Sequence, residues 1–139
     1  MSIPLTDQAR VLVMAIAGQE SGWSARLQVG GPARGFWQFE KLGGVVEVMA
    51  KCPHQLSGVC ANLDILFDRD EIHLAMAWND TLACSMARLL LWPDPAPLPA
   101  LGEEEAAWQY YLRNWRPGAP HRGTWSTVYP QSLALVRQK

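Results

Sequence analysis

Apolar residues recur at helical spacing between Ile72 and Leu90. Ile72, Ala75, Met76, Leu82, Ala83, Met86 and Leu90 form one face, and this pattern most constrains the fold. It predicts one long helix that starts at Asp68 or Asp70 and runs to about Leu91. Asn79 is a polar interruption of that face. The same periodicity marks the N-terminal region, where Ala9, Leu12, Val13, Ile16 and Ala17 share a face. Thr6 can cap that helix, Asp7 suits its first turn, and Gly22 marks its end. A short helix is expected from Lys41 to Lys51, with Val45, Val48 and Met49 facing inward. Glu103, Glu104 and Glu105 open another helix, because negative charge suits the N-terminal end of the dipole. That helix carries Ala106, Ala107, Trp108, Tyr110, Tyr111 and Leu112, and a last helix is expected from Trp125 to Arg137. Ser24 to Gln38, broken by Gly30, Gly31, Pro32 and Gly35, reads as irregular, with room for short strands or a hairpin. Pro53 to Val59 reads as a loop. The alternating prolines after Trp92 make a stiff connector, read as a surface strap. The expectation is one mainly α domain over residues 1–139, α+β only through a minor hairpin.

Composition excludes several classes. With 49% hydrophobic and 18% charged residues, the chain has the makings of a globular core. A net charge of −1 argues against nucleic-acid binding. The apolar run from Val11 to Gly18 is too short to insert across a membrane. Met1 to Asp7 carries no basic region, so no signal peptide is expected. That places synthesis in a bacterial cytoplasm and requires delivery by another component. Cys52, Cys60 and Cys84 fit no zinc spacing. Cys84 reads as a buried thiol, and Cys52 and Cys60 are expected to be reduced although they can close a small loop. His54, His73 and His121 are scattered, with His73 read as a surface or packing residue. No metal site and no cofactor is expected. Seven Trp against three Phe and three Tyr is a high count. These rings either fill the core or line a groove for a ring-shaped ligand.

Glu20 carries the chemical interest. It continues the apolar series of the first helix, three residues after Ala17 and four after Ile16. A carboxyl on an apolar face is desolvated, and the C-terminal end of a helix dipole pushes its pKa the same way. A raised pKa suits a general acid near neutral pH. The bland alternative is structural pairing with Arg26 or Arg34.

A second block follows Glu20, namely Gly35-Phe36-Trp37-Gln38-Phe39, and a third is Ala77-Trp78-Asn79. In this order and spacing the chain resembles the lytic transglycosylases and goose-type lysozymes of the lysozyme-like superfamily. Glu20, Ser21, Trp23, Gly35, Gln38 and the Trp78-Asn79 pair match that family's signature, with Ala33 as the small residue before the second block. The segment after Gln38, Phe39-Glu40-Lys41, departs from the family's Met-Pro-like stretch. Asp80-Thr81 stands where a Gly follows the aromatic-Asn pair. Compact phage endolysins of the superfamily diverge in this way. The resemblance implies a lysozyme-like fold and cleavage of the β-1,4 bond between N-acetylmuramic acid and N-acetylglucosamine in peptidoglycan. It implies Glu20 as general acid and base, closing a 1,6-anhydro ring. Gln38 and Asn79 would bind substrate polar groups beside Ser21, and Trp37, Trp78 and Tyr110 would line the cleft.

Alternatives stay open. A hydrolytic muramidase or chitinase-like glycosidase needs a second carboxylate. Glu40 is the first choice for it, ahead of Asp64 and Asp80, and it is otherwise a solvated residue or a helix cap. A non-catalytic wall-binding module, such as a phage tail part, is the rival from another class. The basic cluster Arg113, Arg116, His121 and Arg122 either attracts the acidic wall or balances the glutamates. The expected partners are peptidoglycan glycan strands, with a phage holin or tail component for delivery, and the protein is expected to be a monomer.

Overall fold

The computed structural model describes residues 3–138 except 25, 29 and 30. The expectations that rest on Gly30 and on the first two residues therefore lie outside the described residues. The chain is mainly helical: α1 (Asp7–Ser21), α2 (Val46–Lys51), α3 (Pro53–Asn62), α4 (Arg69–Met76), α5 (Asp80–Leu91), α6 (Glu104–Trp115) and α7 (Arg122–Arg137). Among the described residues, strand pairing is limited to two isolated antiparallel bridges, Leu27 with Arg34 and Arg34 with Phe39. This is the minor hairpin of the sequence reading, reduced to its smallest form.

α1 begins and ends where its sequence dictates. The Thr6 hydroxyl accepts the Ala9 N–H at 3.2 Å, and Gly22 takes a left-handed φ of 62° and donates to Gly18 O. Both ends satisfy backbone groups the helix leaves unpaired. Its burial exceeds one face, since Val11 and Ala15 are buried as well as Leu12, Ile16 and Ala17. The cause is its central position: α1 packs along α7 and touches α5 and α6.

The long helix expected from Asp68 to Leu91 is two helices. Asp68 caps α4 by accepting from the Asp70 and Glu71 N–H groups, both at 3.0 Å. Asn79 ends the run, with φ −111° and ψ 97°, and its side chain accepts the Leu82 N–H at 3.0 Å. Asn competes for backbone groups and favours caps over helix interiors. The apolar pattern still described burial correctly, because Ile72, Met76, Leu82, Ala83, Met86 and Leu90 all enter the core.

The loop expected at Pro53 to Val59 is α3. Pro53 occupies the first turn, where its missing N–H costs nothing. Leu56 and Cys60, four apart, bury one face. The Lys41 to Lys51 helix opens as a π-helical turn, Lys41–Val45, that runs into α2. Val45 and Val48 are buried as expected, and Met49 is partly buried. Gly44 permits the wide turn to close on Phe39, since a Cβ there would lie 2.9 Å from the ring.

Helices α1 to α7 share one apolar core, and Trp92, Leu98 and Leu101 of the proline strap pack against it. α7 begins at Arg122, earlier than expected, because Arg122 pairs with Glu104 at 2.9 Å and Glu105 at 3.0 Å of α6. Cys52 and Cys60 are buried free thiols, while Cys84 is half-buried where full burial was expected. No helix among the described residues is long and apolar enough to cross a membrane.

Candidate functional site

Glu20 sits in the last turn of α1, half-buried against α6. Its Oε1 accepts the Tyr111 hydroxyl at 2.6 Å. Burial pushes the carboxyl above its ordinary range, and the Tyr111 hydrogen bond pulls it back by a smaller amount. No ion pair involves Glu20 among the described residues. Arg26, one candidate for structural pairing, binds Asp80 at 2.9 Å instead. Tyr111 keeps its proton firmly, because burial and the neighbouring Glu20 charge both raise its pKa. Removing that donor leaves desolvation unopposed. Tyr111→Phe is therefore expected to move the Glu20 titration to higher pH, read by carbon-detected NMR of its carboxyl. An unchanged midpoint would mean that the hydroxyl does not act on Glu20.

The Gly35-Phe36-Trp37-Gln38 turn is built around two left-handed residues. Gly35 has φ 75° and Gln38 has φ 54°. Gln38 donates to Gly35 O twice, from its backbone N at 3.0 Å and from Nε2 at 2.9 Å. Arg34 and Phe39 close the turn with reciprocal backbone bonds of 2.9 Å. His73 of α4 braces it, with Nε2 3.0 Å from Phe39 O. His73 is a buried packing residue, and burial lowers its pKa. A Cβ on Gly35 would meet Met76 O at 3.1 Å and Ala83 Cβ at 3.3 Å. Gly35→Ala is thus expected to cost about 1–3 kcal/mol from backbone strain, before any clash. Gly58→Ala, in α3 with open space around it, should instead be neutral or gain up to about 1 kcal/mol. Urea denaturation of the two variants checks this, and equal effects would contradict the close packing at Gly35.

Glu20, Gln38 and Glu40 line one groove of about 920 Å³. Trp115 and Asn114 at the end of α6, with Arg116 beyond it, form part of its wall. Glu40 is exposed and stands at the N-cap position of the π-helical turn without a capping bond. Arg116, itself left-handed at φ 49°, donates to Glu47 at 2.9 Å, and Lys51 binds the same carboxylate at 2.9 Å. The groove thus holds a desolvated acid, an exposed acid, amides, one half-buried indole and the Glu47 carboxylate paired with Lys51 and Arg116.

Five residues expected here lie elsewhere or face away. The Ser21 hydroxyl donates to Ala17 O at 2.9 Å within α1. Trp37 is buried and donates to Val13 O at 2.7 Å, so its ring belongs to the core. Trp78 is 74% exposed and does not line the groove. The Asn79 side chain is occupied as the cap of α5. Tyr110 is buried with its hydroxyl 3.4 Å from Ala96 O, under the Arg113 guanidinium at 4.5 Å. Its neighbour Tyr111, buried and not part of the groove lining, is the tyrosine that meets Glu20. Spacing along α6 does not separate the two, since Ala107, Trp108, Tyr110 and Tyr111 are all buried.

The tryptophan surplus divides between the two readings. Trp108 and Trp125 join Tyr111 and Tyr129 in a buried cluster, whereas Trp115 borders the groove. The three arginines of the basic cluster are paired rather than free: Arg113 with Asp94, Arg116 with Glu47, and Arg122 with Glu104 and Glu105. Among the described residues, no group of three His, Cys, Asp or Glu could hold a metal. No protein-family model, curated protein or solved structure matches the chain.

Proposed function

We propose that the protein cleaves the β-1,4 glycan strand of peptidoglycan as a lytic transglycosylase, on a lysozyme-like fold. The observation that carries this reading is Glu20: a desolvated carboxyl, unpaired with any described cation, lining a groove large enough for a sugar chain. A carboxyl whose pKa is raised holds its proton to higher pH and can deliver it to the glycosidic oxygen as that bond breaks. The resulting carboxylate then takes the proton of the muramic 6-hydroxyl, whose oxygen closes on C1. Glu20 is regenerated, and no water enters. Tyr111 steadies the carboxylate between the two transfers through the 2.6 Å bond. Gln38, with its amide bound to Gly35 O, gives the groove a rigid polar wall.

A hydrolytic route is the second reading, favoured by the presence of Glu40 in the same groove. An inverting pair works with its carboxyls about 6.5–9.5 Å apart and a water between them. Digestion of purified peptidoglycan, followed by mass spectrometry of the soluble muropeptides, separates these chemistries. The proposal expects 1,6-anhydromuramic ends, lighter by one water. Reducing muramic ends would assign hydrolysis instead, and no release by folded protein would sink the enzymatic reading.

A further inference from the structure

A second cavity, of about 860 Å³, shares no lining residue with the Glu20 groove. Its walls include Trp37, Val59 and Leu89, together with Ile3 and Leu5 from the segment before α1. Arg88 of α5 also lines it. No ion pair involves Arg88 among the described residues. Its contacts are a long bond from Nη2 to Pro4 O, 3.4 Å, and the Trp92 ring at 5.4 Å. Its Nε is buried with no acceptor. Asp80, the acid that borders the cavity, is already held by Arg26 through two bonds of 3.2 and 2.9 Å. Burial lowers the Arg88 pKa, as expected where a cation lacks a compensating charge.

A partly desolvated cation with no counter-ion among the described residues is costly, and an incoming anion offsets that cost. Guanidinium suits a carboxylate, which it can meet with two parallel N–H donors. Beside that charge stand apolar side chains, among them Leu5 at 49% exposed. Charge and apolar wall together suit a ligand with an anionic head and an apolar tail. We propose that this cavity binds a free linear alkyl carboxylate, with its head on Arg88 and its tail against Ile3, Leu5 and Val59.

Cys84 supplies a reporter. It lines the cavity and is half-buried, whereas Cys52 and Cys60 are each only 1% exposed. Laurate below its micellar concentration should slow maleimide alkylation of Cys84, followed by mass spectrometry, and should raise the Tm. Dodecanol supplies the tail without the charge, and butyrate the charge without the tail. Neither should protect at the same concentration. Arg88→Met should weaken laurate binding by about tenfold or more, as expected for loss of a charge-assisted hydrogen bond. Absence of protection by laurate overturns the proposal, and so does equal protection by dodecanol. Unchanged laurate binding by Arg88→Met overturns it too. If that variant does not fold, the laurate and dodecanol comparison on the unaltered protein still decides.

Discussion

Glu20→Gln is expected to reduce release of muropeptides from purified peptidoglycan by about 10²–10⁴, the range a positioned general acid contributes. The amide can still accept the Tyr111 hydroxyl, so the local geometry should persist. The same change is expected to stabilise the fold at neutral pH. The sign follows from linkage. The folded pKa of Glu20 lies above its ordinary 4.5, so the native state holds this proton after the unfolded chain has lost it. Between those two values stability falls as pH rises, and above the folded value the full penalty remains. The substituted amide carries no charge and escapes that penalty. Denaturation across pH should therefore show a downward contribution in the parent that the variant lacks. Activity should likewise decline as pH rises through the raised pKa. A variant that keeps its turnover ends the proposed role of Glu20. One that is less stable than the parent at neutral pH contradicts desolvation of the acid.

Trp125→Ala should have the largest effect on stability, about 3–5 kcal/mol. Trp125 is fully buried and stacks on Tyr111 with centroids 5.3 Å apart and planes 13° from parallel. Trp108 and Tyr129 flank it at 5.6 and 5.8 Å, and its indole N–H donates to Glu104 O at 3.1 Å. Truncation leaves a cavity beneath Tyr111 and removes the indole bond to that carbonyl. Since small domains are stable by only about 5–15 kcal/mol, the loss is a large share of the total. Trp125→Phe keeps a ring against Tyr111 and should cost clearly less. Guanidinium denaturation of both variants measures this. A loss under about 1 kcal/mol for the alanine variant would contradict the packing role. The link to the site is direct, because Trp125 supports the ring whose hydroxyl meets Glu20.

Much of the helical order was legible because its signals are local. Thr6, Asp68 and Gly22 act on backbone groups within a few residues, and their chemistry is the same in any fold. Asn79 was visible as an interruption, yet its meaning was missed. A polar residue on an apolar face marks either a site or a break, and only the backbone at φ −111° identifies a cap. Pro53 was read as a loop signal, although proline is equally at home in the first turn of a helix. Gly35 and Gln38 are legible as a motif, and the structure adds the cause, two left-handed residues with Gly35 packed against the end of α4 and the start of α5.

By itself the sequence determined a mainly helical chain, the helix ends at Thr6 and Gly22, and the placement of Glu20 on a buried line. Each follows from residue spacing along one helix. Only the tertiary structure decided that Tyr111, not Tyr110, meets Glu20, and that Trp37 turns into the core while Trp115 borders the groove. Adjacent helical residues point about 100° apart. Which of two neighbouring tyrosines faces α1 therefore depends on the rotation of α6 about its own axis. That rotation is set by packing against α1, α5 and α7, segments distant in the chain.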